Sequence, residues 1–241
     1  MSLQGWMKSL LVLGGTGFIG KGLCKKAIEK GYKVFSVSRR GTPSTLNQPW
    51  MEKVEWVQGD ALNPTSYSQI LPNVSAVVHS IGILSENSII QRLSTGNANF
   101  AYGGTFETIN RDSAINILKT AESYPNIKSF AYISADEGFP SFIVDKKYFS
   151  TKREAEAAVL NSKFNAHIFR PGYVYSEDRP ISLTLQMFIR MGMFVAPFLD
   201  IPPPIRLDNL AEAVINSIDK EITGIFSSRN IEELNVNKQH P

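Results

Sequence analysis

Apolar residues follow two rhythms along the chain. Short unbroken runs read as buried strands: "SLLVL" at Ser9 to Leu13, "YKVFSVS" at Tyr32 to Ser38, "VEWVQGD" at Val54 to Asp60, "VSAVVHSIGI" at Val74 to Ile83, "KSFAYIS" at Lys128 to Ser134 and "AHIFRP" at Ala166 to Pro171. Between them apolar residues return at helical spacing: in "KGLCKKAIEKG", ending at Gly31, in "TINRDSAINILKTAES" from Thr108 to Ser123, and in the run containing "YFSTKREAEAAVL". Strands alternating with helices predict an α/β fold, a doubly wound parallel sheet of the Rossmann type, with ligands at the C-terminal ends of the strands.

After Pro171 the alternation fades. "SLTLQMFIRMGMFVAPFLDIPPP" predicts an apolar helix and a proline-rich loop, "LDNLAEAVINSIDK" (Leu207 to Lys220) an amphipathic helix opened by Asp208 or Asn209, and "GIFSS" a short strand. The expectation is a nucleotide-binding domain over residues 7–172 and a small C-terminal substrate lobe over residues 173–241, forming one compact unit. The apolar helix reads either as the core of that lobe or as the wall of a greasy substrate pocket. Residues 1–6 precede a second methionine, Met7, and are set aside as an added segment or the remnant of a trimmed leader.

Composition narrows the function classes. The 241 residues, 43% of them hydrophobic, supply one substantial core. A balance of 25 Lys+Arg against 22 Asp+Glu leaves a net +3, too weak to call for a nucleic-acid partner or a charged membrane surface. The single cysteine, Cys24, excludes an internal disulfide and suits a reducing compartment; His79, His167 and His240 lack metal-ligand spacing, so no metal site is expected. No apolar run approaches the roughly 20 residues of a spanning helix, and the chain is expected to be soluble with no transmembrane segment.

"GGTGFIG" lies between a strand and a helix. Gly14, Gly17 and Gly20 give the spacing GxxGxxG, and Gly15 completes GxGxxG as well. Glycines there allow a tight turn, close approach of a pyrophosphate and helix packing, with the anion over the helix N-terminus. Gly14, Thr16, Gly17, Phe18, Ile19 and Gly20 are therefore candidate contacts for a nicotinamide dinucleotide. At the end of the second strand an NAD binder carries an acid for the ribose 2′-hydroxyl. Here Ser38 holds that place and Arg39 and Arg40 follow, a hydroxyl and two guanidiniums suited to a 2′-phosphate, so NADP (NADPH) is favoured over NAD. Asp60, with Ala61 beside it, is placed to meet the adenine amino group, or to cap its strand.

Tyr148 and Lys152 are four residues apart inside a helix-forming run. They share a face, so an ammonium can lower the phenol's pKa and help it trade a proton with a substrate oxygen. A second copy of the pattern, Tyr124 to Lys128, is interrupted by Pro125 and runs from a helix end to a strand start, so its two residues cannot share a helical face.

In order along the chain, "GGTGFIG", "GD" at Gly59 to Asp60, "HSIG" at His79 to Gly82, "YFSTK" and "RPG" at Arg170 to Gly172 resemble the short-chain dehydrogenase/reductase superfamily over nearly its whole length. The two-glycine opening, "RPGYVY" and the short C-terminal lobe look like its extended and atypical branches, which include the NADPH-binding accessory subunit of mitochondrial complex I. "VVHSIGIL", "YISADEGFP", "STKREAE" and "FRPGYVY" are similar to fungal mitochondrial ubiquinone-biosynthesis (coenzyme Q) proteins of the atypical branch. That resemblance implies a mitochondrial address on the matrix side, peripheral to the inner membrane, with partners in the coenzyme Q synthesis complex. It also implies that Ser80, Ile81 and Gly82 line the adenosine side of the cofactor, and that Lys152 hydrogen-bonds the nicotinamide ribose. Pro171 and Gly172 would contact the nicotinamide end, and Ser134 joins the cofactor contacts. Asn110 would either steady the active site or serve as an N-cap.

The superfamily mechanism needs a hydroxyl just past the fifth strand to orient the substrate oxygen toward the tyrosine. Aligned on that pattern the place falls to Ala135, with Ser134 one residue early and on the opposite face by strand alternation. Two expectations follow: an NADP(H)-dependent oxidoreductase acting on a hydrophobic, quinone-like substrate with Tyr148 and Lys152 as its catalytic pair, or a catalytically quiet NADP(H)-binding subunit of structural or redox-sensing role. A third, an RNA-binding member of the superfamily, is weakened by the near-balanced charge.

Overall fold

Strand β1 (Ser9–Leu13) is buried at every position because both of its faces are covered. Leu10 and Val12 enter one core while Leu11 and Leu13 enter the other, as side-chain alternation requires. The computed structural model describes residues 8–84, 104–137, 145–178, 187 and 202–236. The further strands are β2 (Lys33–Ser38), β3 (Val54–Gln58), β4 (Ala76–His79), β5 (Ser129–Ile133), β6 (Asn165–Arg170), β7 (Val174–Tyr175), β8 (Ile205–Arg206) and β9 (Gly224–Ser227). A seven-stranded sheet runs β3-β2-β1-β4-β5-β6-β9 with every neighbouring pair parallel, and β7 and β8 form a separate parallel ribbon.

The helices described are α1 (Phe18–Glu29), α2 (Ser113–Ala121), α3 (Lys146–Leu160), α4 (Leu207–Asp219) and α5 (Ser228–Val236). Leu23 and Ala27 of α1 share one core with Leu210 and Val214 of α4. Ile117 and Leu118 of α2 share the opposite core with Ala155 and Val159 of α3. The predicted doubly wound sheet is therefore present. Its strand order reverses between β1 and β4, which opens a crevice at their C-terminal ends.

Where sequence and structure differ, packing accounts for it. Helix α4 starts at Leu207, with Arg206 in the cap position and no capping side chain, rather than being opened by Asp208 or Asn209. Leu207 packs directly over Gly22 of α1, and that contact draws the start forward. The expected strand "GIFSS" forms as β9 and joins the main sheet beside β6, where Phe226 stacks on Phe169 with ring centroids 5.1 Å apart. Part of the segment assigned to the C-terminal lobe thus completes the sheet and one of its helical layers. The expected helix over Thr108 to Ser123 begins as a π-helical turn, Glu107–Asp112, before α2. The apolar helix expected from Ser182 onward, apart from Met187, and residues 1–6 lie outside the described residues. Among the described residues no helix is long and apolar enough to cross a membrane.

Candidate functional site

The chain leaves β1 and turns through Gly14 at φ +87°, a conformation side chains rarely adopt. A Cβ there would meet Ile81 Cγ1 at 2.8 Å and Ser80 Oγ at 3.2 Å, so the turn lies against the end of β4. The Ser80 hydroxyl and amide both donate to Leu13 O, at 2.8 and 3.0 Å, tying β4 to β1 at the crevice. Gly17 donates its amide to Gly14 O at 2.8 Å and caps α1 without any side chain. Thr16, Phe18 and Ile19 are half-buried around the turn. Gly20 presses on the turn so closely that an added Cβ would lie 2.1 Å from Gly14 O.

At the end of β2 the chain makes a tight turn over residues 38–41, closed by the Gly41 amide on Ser38 O at 3.0 Å. Arg39 and Arg40 occupy its central positions, exposed, with Arg39 O held by Gln58 Nε2 at 3.2 Å. The half-buried Ser38 donates its hydroxyl to Gly41 O at 3.3 Å. Asp60 is exposed and accepts the Leu62 amide at 3.0 Å, capping its own turn, with Ala61 buried beneath.

Asp145 starts α3 by accepting the Lys147 amide at 2.8 Å. One turn on, half-buried Tyr148 packs edge-on against Phe106 and Phe149, with centroids 6.0 and 5.2 Å away, in a small apolar cluster with Ile81, Ile83 and Ile109. Burial pushes its phenol up to about 12, opposed by the charge of Arg153. Lys152 is only 3% exposed; its Nζ donates to Ile133 O at 2.9 Å and Ile81 O at 3.4 Å, and lies 4.8 Å from the centroid of the Tyr132 ring. Lys152 thus bridges the ends of β4 and β5, and the cation opposing the rise in the phenol's pKa is Arg153 instead of the expected lysine. Tyr124 lies beyond the end of α2 and Lys128 just before β5, so the second copy shares no helix.

Past β5, Ser134 and Ala135 are both buried. The Ser134 hydroxyl accepts Arg153 Nη1 at 3.0 Å, and Arg153 also donates to Ala135 O at 2.8 Å and to Glu137 at 2.6 Å. Arg153 further donates to Glu156, which is 2% exposed and receives Arg170 through Nε and through Nη2 at 2.5 Å. The place where the resemblance expects a substrate-orienting hydroxyl therefore holds a methyl group, on a loop clamped by a guanidinium. The Asp136 amide donates to the carbonyl of buried Pro171 at 3.0 Å, and the Gly172 amide to Ser228 Oγ at 2.6 Å. The sequence reading gives Arg153 and Glu156 no role and meets Arg170 only within "RPG"; the one available signal was the Arg153/Glu156 pair at helical spacing. Asn110 is no N-cap: it is fully buried within the π-helical turn, because the helical path begins earlier, and its carboxamide pairs with the Ile83 amide at 2.8 Å and Ile83 O at 3.1 Å.

The profile of the NAD(P)H-binding family matches residues 14–186, from the glycine turn through the dyad and past strand β7. The chain belongs to the NAD(P)H-binding family. Saccharomyces cerevisiae MIOREX complex component 2 is 35% identical over 206 residues, 70% of this chain and 74% of that protein. An Arabidopsis thaliana chloroplastic protein is 32% identical, covering 93% of this chain and 76% of its own length. Among solved structures, alfalfa vestitone reductase superposes with a TM-score of 0.64 at 18% identity, over 91% of this chain and 76% of that one. The Bordetella bronchiseptica enzyme WbmF in complex with NAD+ gives 0.62 at 15% identity, over 95% and 77%. At such identities the likeness is one of fold, extended and short-chain-dehydrogenase-like.

As a member of the NAD(P)H-binding family, the chain has a site that fits the dinucleotide on its own geometry. A pyrophosphate needs close backbone approach and an uncapped helix start, and both are present at Gly14 to Gly20. Lys152 leaves a signature measurable without any ligand. Burial lowers it from 10.5 to about 7, so between those values the unfolded chain holds the proton that the folded chain lacks, and stability rises with pH. From about pH 7.5 to 9.5, above the titration of histidine and below that of tyrosine, the wild type is expected to gain about 2–3 kcal/mol from this group. Thermal melts of Lys152→Met across that range should show a flatter slope; an equal slope would contradict the assignment.

Proposed function

We propose that the protein is an NADP(H)-dependent oxidoreductase acting on a hydrophobic, quinone-like carbonyl compound in mitochondrial ubiquinone biosynthesis. The observation that carries this reading is the placing of Tyr148 and Lys152 beside the glycine turn's crevice, against the apolar cluster of Ile81, Ile83, Phe106 and Ile109. When bound, the reduced nicotinamide supplies a hydride to the carbonyl carbon. Tyr148, held as a neutral phenol by its raised pKa, donates its proton to the carbonyl oxygen as negative charge develops there, and is reprotonated from solvent. Arg153 eases the transient phenolate, and Lys152 holds the nicotinamide ribose. Arg39 and Arg40 grip the 2′-phosphate, Ser80 to Gly82 line the adenosine, and Pro171 and Gly172 bound the nicotinamide end. Residues beyond 172 that do not join the main sheet form the substrate lobe. The yeast relative is named as a complex component and the plant relative as chloroplastic, which supports an organellar address and membership of an assembly. We place that address on the matrix side of the inner membrane, within the coenzyme Q synthesis complex.

A second reading, a catalytically quiet NADP(H)-binding subunit, is favoured by one observation: Ala135 brings no hydroxyl, and the Ser134 hydroxyl is held by Arg153. Titration with NADPH and NADH, followed by absorbance loss with short-tail quinones, separates the two. The oxidoreductase reading expects turnover that falls by about 100-fold or more in Tyr148→Phe with NADPH affinity kept. Tight binding with no turnover in the wild type favours the quiet subunit, and failure to bind either nucleotide sinks both. Arg39→Glu is expected to weaken NADPH by about tenfold and spare NADH, since one charge-assisted contact to the phosphate is lost. Equal weakening of both cofactors would remove the case for NADP.

A further inference from the structure

The π-helical turn Glu107–Asp112 interrupts the regular bonding of the helix, and two of its carbonyls are taken by side-chain hydroxyls. Ser113 Oγ donates to Ile109 O at 2.6 Å, and Tyr132 Oη donates to Asn110 O at 2.7 Å. Because Ser113 spends its one hydrogen on Ile109, it accepts from His79 Nε2 at 2.9 Å, which fixes the histidine as the Nε2–H tautomer. Burial lowers the His79 pKa to about 3, so the ring stays neutral beside Tyr132, with centroids 5.4 Å apart. The Tyr132 hydroxyl thereby holds the stretch of backbone that carries Asn110. The Asn110 carboxamide in turn grips both backbone groups of Ile83.

The same tyrosine reaches the other half of the site with its ring. Lys152 Nζ rests 4.8 Å from the ring centroid while donating to Ile133 O and Ile81 O. All these parts converge on Gly82, where an added Cβ would lie 2.9 Å from Lys152 Nζ and 3.3 Å from Asn110 Oδ1. A tyrosine serving only as core filler needs one acceptor for its hydroxyl. Tyr132 instead stands between two grips on a single loop, the amide pair at Ile83 and the Lys152 amino group at Ile81.

We propose that Tyr132 is a positioning residue that couples the loop from Ser80 to Ile83 to Lys152, its hydroxyl acting through Asn110 and its ring through its contact with the Lys152 amino group. The proposal rests on the reading above that the dinucleotide lies across this loop. It extends that reading by assigning the loop's alignment with the dyad to one side chain on β5, a residue that touches neither cofactor nor substrate.

Tyr132→Phe keeps the ring and removes the hydroxyl, and Asn110→Ala breaks the same chain one link further on. Amide hydrogen exchange followed by NMR supplies a readout that needs no nucleotide. In Tyr132→Phe the Ile83 amide is expected to exchange about five- to tenfold faster relative to the amides of β1 and β6, the change one buried hydrogen bond is worth. NADPH affinity should weaken by about fivefold, and the double variant with Asn110→Ala should be no worse than Asn110→Ala alone. Equal acceleration in β1, β6 and Ile83 would show a merely structural tyrosine and overturn the proposal, as would an unchanged Ile83 amide or additive effects in the double variant. Failure of the wild type to bind NADPH would overturn the nucleotide reading, while the exchange pattern would still judge the coupling separately.

Discussion

Replacing Glu156 by glutamine is expected to destabilise the protein by about 3 kcal/mol, the cost of removing one partner from a buried charge pair. Glu156 is 2% exposed and is the shared acceptor of Arg153 and Arg170, which approach from α3 and β6 with side chains 24% and 29% exposed. Glutamine keeps the volume but replaces one acceptor oxygen with a donor, which then faces guanidinium N–H groups that are themselves donors. The melting temperature should fall by roughly 2–4 °C for each kcal/mol lost in a chain of this length. Glu154→Gln is the matched control: its carboxylate pairs with Arg111 but is 52% exposed, and its loss should change stability by less than about 1 kcal/mol. Denaturant melts showing the two variants equal would refute the buried role. Glu156→Gln should also disturb the loop beyond β5, because Arg153 holds Ser134 and Ala135 while anchored on that carboxylate.

The second large effect belongs to Gly20→Val. Any Cβ at Gly20 would stand 2.1 Å from Gly14 O and 2.7 Å from Gly14 C and Gly15 Cα. These are backbone atoms and cannot swing aside, so α1 must lift off the turn and the pyrophosphate seat is lost with it. NADPH affinity should drop by about 100-fold or more, because the anion loses both backbone approach and helix start. Gly31→Ala separates strain from seat: its φ is +79° but nothing lies within 4 Å of an added Cβ. That variant should lose about 1 kcal/mol of stability and bind NADPH as the wild type does. Isothermal titration of both variants decides the matter, and tight binding by Gly20→Val would refute the glycine turn as the seat.

Much of the fold was legible because its determinants are local and periodic. Strand β1 reads as an unbroken apolar run since helices cover both of its faces, and α1 reads as helix since Leu23, Cys24 and Ala27 recur on one side. The glycine turn was legible for a different reason: the close contacts at Gly14 and Gly20 forbid any other residue type, so the spacing itself records the geometry. The dyad was half legible. Helical spacing put Tyr148 and Lys152 on one face, but spacing is silent about what an ammonium meets there. Only the parallel pairing of β4 with β5 brings Ile81 O and Ile133 O to the lysine.

Arg153 and Glu156 carry no motif, and Arg170 enters the sequence reading only as the first residue of "RPG", so nothing along the chain joins the three. Charged residues leave no periodic trace of being buried, and the carboxylate that joins them is hidden only because α3 lies over β6. The cap reading of Asn110 fails for a similar reason, since a π-helical turn has no sequence signature of its own. By itself the sequence determined the order of strands and helices, the two-sided burial of the sheet and the glycine turn at its centre, all of which depend on neighbours a few residues apart. Only the tertiary structure decided which cation opposes the rise in the Tyr148 pKa, what holds the loop at Ala135, and how Tyr132 ties Asn110 to Lys152. Those are contacts between residues far apart in the chain, and burial rather than residue type sets their strength.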